Sequence, residues 1–469
     1  MTRSTASTGE RSRSAHPLAL TIILGGQLMI VLDGTVIYTA LPQVLADLSF
    51  SAATLSWVQN AYLLGFGGFM LLGARTGDMA GHRRVFLLAT TLFVVASVAV
   101  GIAPSASWLV AARGIQGIAA AFTAPSILAL LMSLYTEGPV RARALMLHTA
   151  ISGGGSALGL IMGGLLTSFV SWRATFLINL PIGTVLLVLG QRRIPAGIGR
   201  KVRVDLVGAL AVTLGMGALV YGLVHAAHDG AQLSGVVVPI VVGVVLLATF
   251  VWVESCAVHP IMPLRLFRNA QRAGAYLSKL LLVGGMLGTF FFLTQYVQRG
   301  LGFSALEAGA IFLPLSVAQC LMVLLGVPKL MPRLGSARML MAGLSVACIG
   351  MLWLSRIEPD TPFLPGLVMP IVLLGLGTGA ALVPLTILGV AGVGSDDAGA
   401  ASGLVNITHY LGGALGTAVM VCIARWTISP TIAPDDVRHI LAHALSISAA
   451  SAAVAFLLAL FVTACTMRR

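Results

Sequence analysis

The sequence predicts an all-α polytopic membrane protein: fourteen transmembrane helices, as two six-helix halves plus two inserted helices. Three observations predict it. Of 469 residues, 58% are hydrophobic and 9% charged, with a mean hydropathy of +0.98, whereas a soluble domain averages ~25% charged residues. Apolar runs long enough to cross a bilayer recur along the whole chain. Short stretches also repeat at nearly one offset, as two related halves would require.

A helix needs ~20 apolar residues to span the hydrocarbon core. Candidate spans run over 17–41, 54–73, 85–103, 107–134, 143–169, 172–190, 205–226, 233–254, 273–298, 306–328, 338–355, 362–392, 399–424 and 441–466. An even number puts both termini on one side. The polar, basic start MTRSTASTGERSRSAHP reads as a tail, because the run behind it is too long for a signal-peptide core and has no convincing cleavage site. Of the 28 Lys and Arg residues, 21 fall on the side of the termini, among them Arg200, Lys201 and Arg203. Five fall on the opposite side, and two, Arg113 and Lys279, lie within spans. Positive charge marks the cytoplasmic side, so both termini of this multi-pass protein are expected in the cytoplasm.

The net charge of +13 comes from these short gaps and not from a folded basic face, so nucleic acid is not an expected partner. The 5 Cys have no motif spacing and read as reduced structural thiols. HAAHD (225–229) and His439 with His443, downstream of Asp435 and Asp436, read as solvated surface with at most loose zinc affinity. No Walker loop is present, so ATP is not the drive. No nucleophile–base pair, metal site or cofactor is expected, and the protein is read as no enzyme. A lipid-modifying enzyme would need an interfacial catalytic cluster; a sensor would need a soluble output domain. Neither is visible.

LSFSA (48–52) matches LGFSA (301–305), GSALG (155–159) matches GGALG (412–416), and GDMAGHRRVFL (77–87) matches MPRLGSARML (331–340), with Gly81 facing Gly335. The offsets are 253, 257 and 254. The expected division is a tail over 1–16, a six-helix half over 17–195, a linker with two inserted helices over 196–260, and a second half over 261–469. Parallel repeats of this kind are a transporter design, with the substrate site between the halves near the midplane.

LDGTVIYTALP (32–42) is similar to the pattern LDxTIVNVALP. ARTGDMAGHRR (74–84) resembles the loop motif GxLaDRxGRR, AARGIQGIAAA (111–121) resembles RxxQGxGaA, and GSALGLIMGG (155–164) resembles GxxxGPxxGG. WRATFLINLPIG (172–183), MPLRLFRN (262–269) and FFLTQYVQRGLGFSALEAGAIFLP (291–314) add further matches. In this order the set resembles the major facilitator superfamily, specifically its fourteen-helix drug:proton antiporter branch, the bacterial multidrug efflux permeases. The resemblance covers the whole chain and implies a proton-coupled exporter of amphipathic drugs or other small molecules, working by alternating access as a monomer in membrane lipid. The alternative is a dedicated exporter of one metabolite. The chain departs from the family patterns at Tyr38 (Asn), Ala74 (Gly), His82 (a basic position), Leu160 (Pro) and His409–Tyr410 (an Arg–Gln pair).

Asp33 is the sole acid well inside a span. If the first helix ends at Leu41, Asp33 lies ~12 Å below its outer end, and Arg113 lies ~9 Å below the start of the fourth. A lone charge at the bilayer centre costs ~3 kcal/mol or more, so pairing is expected, and the resemblance puts both helices in one bundle. Protonation of Asp33 would release Arg113, which is a usable switch; a fixed pair that only locks the two helices is the alternative. The resemblance implies that Asp78, with Gly81, Arg83 and Arg84, forms an inner gate in which Asp78 meets the N-terminus of a helix in the other half. Arg83 and Arg84 serve equally as topology charges. Gly155, Gly159, Gly163 and Gly164 read as a small-residue stripe packing against a helix of the other half, with Gly412 and Gly416 as the repeat counterpart. Leu160 is expected to leave the fifth helix straighter. Tyr38, Gln59, Asn60, Tyr62, Gln116, His148, Asn179, Gln295, Gln319, Asn406, His409 and Tyr410 are the polar candidates for the cavity, each equally able to serve as a helix–helix hydrogen bond. Lys279 reads as a side chain snorkelling to the membrane surface.

Overall fold

The structure is a computed structural model that describes residues 16–51, 54–135, 138–195, 206–227, 231–257, 262–394, 398–427 and 436–467. The N-terminal tail, Arg200, Lys201, Arg203, His228, Asp229 and Asp435 lie outside the described residues. The spans are α1 (His16–Asp47), α2 (Trp57–Ala80), α3 (His82–Gly101), α4 (Ala106–Leu134), α5 (Gly138–Phe169), α6 (Ala174–Arg193) and α7 (Leu206–Ala226). They continue with α8 (Leu233–Cys256), α9 (Ala270–Gly300), α10 (Ala305–Leu334), α11 (Ser336–Leu354), α12 (Phe363–Val390), α13 (Ala398–Thr427) and α14 (Val437–Thr466). Among the described residues, 13 helices are long and apolar enough to cross a membrane. The fourteenth is α2, whose 24 residues rise ~36 Å. Its hydropathy is lowered by Gln59 and Asn60, two of the cavity candidates, and by Arg75 and Asp78 of the 74–84 motif.

Starts and stops follow from local chemistry. Asn269 caps α9 by accepting from the Arg272 N–H. Ser304 and Glu307 form a reciprocal capping box at α10, and Asp436 caps α14 through the His439 N–H. Between α2 and α3 the chain reverses at Gly81, with φ 88°; between α10 and α11 it reverses at Gly335, with φ 77°. Both residues need the positive φ that glycine adopts without strain, and each donates its N–H four residues back, to Gly77 and Met331. These are the two turns matched by the sequence repeat.

The two sets of six helices pack by one plan. α1 lies on α5 and α9 on α13; α2 lies on α4 and α10 on α12. α3 lies on α4 and α6, as α11 lies on α12 and α14. The start of α1 meets the end of α6 (Ile22 by Gly190), and the start of α9 meets the end of α14 (Gly274 by Thr466). The side carrying these chain ends is called the terminal end below, and the opposite side the distal end. The inserted pair α7–α8 packs on α2, with Thr213 over Gly68 and Trp57 6.3 Å from Tyr221, and borders an apolar cleft of about 600 Å³ with α2 and α4.

α1 runs six residues past Leu41, through Pro42, to Asp47. There Asp47 accepts from the Trp172 indole and pairs with Arg173 on the approach to α6. Asp33 therefore lies ~21 Å, not ~12 Å, from the distal end of its helix.

Candidate functional site

α1, α2, α3 and α6 each bring a polar side chain or carbonyl, and α4 brings two side chains, to a single buried point. Asp33 is 1% exposed and Arg113 0%. Arg113 Nη1 donates to Asp33 Oδ2 at 2.7 Å and to Gln116 Oε1 at 2.7 Å; Nε donates to the Val58 carbonyl at 3.2 Å. Asp33 Oδ1 accepts from the Gln116 amide at 2.7 Å and from Asn179 at 2.8 Å. Both amides also donate to Ser97 Oγ, at 2.7 and 3.2 Å, and the Ser97 hydroxyl donates to the Phe93 carbonyl. The guanidinium lies over the Tyr62 ring, 4.3 Å from its centroid, with Phe176 at 5.4 Å. Charge-assisted bonds of this kind are the strong ones, and a closed network is what makes a buried pair tolerable.

This geometry reassigns two cavity candidates. Gln116 and Asn179 are fully engaged in holding the carboxylate and line no open space. Gln116 shares a helix face with Arg113 at i+3, which the sequence shows. Ser97 went unremarked because serine in an apolar helix carries no motif; its role exists only where α3 meets α4 and α6.

A second group lies along the seam between the first six helices and the last six. Tyr38 of α1 meets Phe290 of α9 edge-on at 6.2 Å. Tyr410 of α13 stacks on Phe66 of α2 at 3.8 Å. The hydroxyls of Tyr38 and Tyr62, both amide atoms of Asn60 and the amide oxygen of Gln295 are buried with no hydrogen-bond partner among the described residues. Gln59 reaches Arg113 only at 3.5 Å, and Gln319 packs its backbone on Gly379 of α12. Asn406 is exposed while Val405, Ile407 and Thr408 beside it are buried. Gly413, two turns further and on the same face, is covered by Leu287 of α9 and Leu63 of α2. The face holding Asn406 thus points between α2 and α9, into a space open toward the terminal end and shut two turns above. His148 on α5 is partly exposed at a comparable level.

The seam is shut at the distal end. Ser168 of α5 accepts from the Leu306 N–H of α10, Gly164 lies against Ala305 and Leu306, Gly309 lies against Leu160, and Gln298 donates to the Thr39 carbonyl. Here the glycine stripe departs from expectation. Gly155, Gly159 and Gly163 pack on Val31, Leu32 and Val36 of α1, within the first six helices; Gly164 alone reaches the last six. The first three are four residues apart and share one face, whereas Gly164 is turned 100° away. Gly412 and Gly416 likewise pack on Leu280 and Gly284 of α9. α5 runs unbroken from Gly138 to Phe169 across Leu160.

At the terminal end Asp78 is exposed and pairs with His82 at 3.2 Å, one turn away on the same reversal. It meets no helix N-terminus of the last six helices among the described residues, in keeping with an open terminal end. Arg83 donates to the Gln191 carbonyl of α6, and Arg84 is exposed. Lys279 does not snorkel: it is 6% exposed, inside α9.

The profile of the Major Facilitator Superfamily matches residues 23–417. The chain belongs to this superfamily. This transporter is 39% identical over 429 residues to the cephamycin export protein CmcT of Amycolatopsis lactamdurans, covering 90% of this chain and 88% of that protein. It is 40% identical to the puromycin resistance protein pur8 of Streptomyces alboniger, over 86% of this chain and 80% of that one. Among solved structures, the POT family transporter PepTSo superposes with a TM-score of 0.70 at 14% identity, covering 97% of this chain and 99% of that one. A bacterial homologue of the lysosomal transporter Spinster superposes at 0.66 and 17%, covering 97% and 98%. These likenesses establish the fold. The protein is a multi-pass bacterial membrane transporter.

Proposed function

We propose that the protein is a proton-coupled exporter of amphipathic small molecules, driven by the proton gradient across the cytoplasmic membrane, acting as a monomer with both termini in the cytoplasm and no ATP or cofactor. The division into 1–16, 17–195, 196–260 and 261–469 is part of this reading, and the two six-helix units are its moving parts. With the termini inside, the conformation described is inward-open.

The observation that carries the reading is the closed donor set around Asp33. As the anion, the Asp33 carboxylate has three donors, from Arg113, Gln116 and Asn179. A proton on Oδ2 would oppose the Arg113 donor, one on Oδ1 would oppose both amides, and either removes the charge that holds Arg113. A state in which α1, α4 and α6 have shifted relative to one another then becomes competitive, and this is how a proton biases a two-state bundle. The buried polar atoms without partners among the described residues, on Tyr38, Asn60, Tyr62 and Gln295, are groups that a substrate passing along the seam could engage once the two six-helix units move apart.

The test is dye and drug efflux in everted membrane vesicles with and without a pH gradient. Gradient-dependent accumulation supports the reading; accumulation indifferent to the gradient overturns it. The alternative, a dedicated exporter of one metabolite, is supported by the likeness to a cephamycin export protein and a puromycin resistance protein. Susceptibility of an expressing strain to chemically unrelated drugs separates the two.

A further inference from the structure

Lys279 is the one buried cation that the motifs leave unexplained. It is 6% exposed, and among the described residues it makes no hydrogen bond or ion pair. It lies nine residues into α9, ~13 Å from the terminal end. Among the described residues its own half holds four carboxylates, and all lie at the distal end: Glu307 caps α10, Glu358 and Asp360 follow α11, and Asp436 caps α14; Asp396, Asp397 and Asp435 lie outside the described residues. Asp33 is already saturated by Arg113, Gln116 and Asn179.

Two independent placements put Lys279 on the seam. Phe290, eleven residues along α9, meets Tyr38 across the seam, and eleven residues make three turns to within 20°, so both share one face. Leu280, the next residue of α9, packs its backbone on Gly412 of α13, one turn from His409. His409 is one turn from Asn406 on α13, the residue exposed to the space open at the terminal end. An unpaired ammonium at this depth costs several kcal/mol, and an anion arriving from outside the chain would offset that cost. Lysine suits varied guests, because it is a point charge with three rotatable donors and not a planar fork demanding one geometry.

We propose that Lys279, with His409 beside it, forms an anion-binding site at the terminal-end mouth of the seam, which takes the single anionic head, carboxylate or phosphate ester, of an amphipathic molecule. The proposal deepens the exporter reading, since the molecule would be cargo. The same chemistry could come from a lipid head group, and the test separates the two sources.

The full-length protein in phosphatidylcholine nanodiscs is titrated with 11-(dansylamino)undecanoic acid and with its methyl ester, each corrected against empty discs. The acid is expected to bind about tenfold or more tightly than the ester. That ratio should fall to about one in Lys279→Met and Lys279→Gln and persist in Lys279→Arg. Equal binding of acid and ester by the unmutated protein overturns the proposal without needing any variant, as does a ratio unchanged in folded Lys279→Gln. Replacing phosphatidylcholine by phosphatidylglycerol decides the source of the anion. Loss of probe binding assigns the site to lipid head groups; retention assigns it to the soluble amphiphile. Binding is read without a gradient, so failure of vesicle efflux would sink the exporter reading while leaving this ratio measurable.

Discussion

Gly159 of α5 lies over Leu32 of α1, and Gly416 of α13 lies over Gly284 of α9, so Asp33 in the first six helices is matched by Gly285 in the last six. Gly117 lies over Tyr62 and Gly375 over Leu315, so Arg113 is matched by Ile371. The packing plan is shared and the charge is not. Backbone approach needs only small residues at set intervals, and both halves keep them. A buried ion pair needs every partner at once, and only α1, α3, α4 and α6 supply Asp33, Ser97, Arg113, Gln116 and Asn179. The last six helices instead bury one cation, Lys279, without a counter-charge among the described residues. The first half is built to hold a charge closed; the second leaves one waiting.

The largest expected effect breaks the closed side of this comparison. Asp33→Asn should abolish gradient-driven export while the protein still inserts and folds. Full efflux by this variant, at equal expression, would reject Asp33 as the proton carrier. Next comes stability. Arg113→Met leaves a carboxylate buried without its cation, a change that costs ~3–5 kcal/mol in buried pairs. It should lower the apparent Tm of purified protein more than the double variant Asp33→Leu with Arg113→Met does. A double variant no more stable than the single one would mean that the pair is not coupled as described.

The comparison sharpens at the cavity. Asp33 is occupied by Arg113, and Lys279 adds a second buried cation, so neutral or singly charged lipophiles should be exported well and rigid dications poorly. An unpaired buried charge costs several kcal/mol, roughly two to three factors of ten in binding. Competition against a fluorescent monocation by matched mono- and dicationic biocides reads this directly. Tighter binding of the dication would imply an acidic site absent from the described residues.

Smaller effects are expected at the two ends of the seam. A Cβ on Gly164 would lie 2.7 Å from the Ala305 carbonyl oxygen, so Gly164→Leu should hold the distal end ajar. Cysteine labelling of the cavity from the distal face should rise several-fold, and unchanged labelling would count against this contact as the seal. Asp78→Asn should barely shift the apparent Tm, since Asp78 meets only His82 at the surface. If Asp78 closes the terminal end in the other state, export should slow modestly and cavity cysteines should label faster from the cytoplasm.

Much of this was legible from the chain alone. A hydrophobic run of span length, a glycine at a reversal and a clustering of arginines are local signals, and they gave all fourteen spans, the two matched turns and the family motifs. Even α2, the least apolar span, was legible, because its polar residues sit among leucines and phenylalanines. The isolation of Asp33 and Arg113 in apolar runs pointed to each other, since two opposite charges in lipid have few other choices.

What only the tertiary structure decided is which neighbours meet. The glycine stripe of α5 faces α1 for three of its members and α10 for the fourth, because a step of one residue turns 100° and the sequence carries no record of which helix stands at each angle. For Gln116 and Asn179 the sequence leaves cavity lining and helix–helix hydrogen bonding equally open, and only the packing puts their amides on the Asp33 carboxylate; Ser97 carries no sequence signal at all. Lys279 read as a surface lysine because depth along a helix can be counted, whereas the direction a side chain points into a bundle is set by six neighbours at once. Sequence fixes periodicity and charge; burial, partnership and the open or shut state of the seam are properties of helices brought together across hundreds of residues.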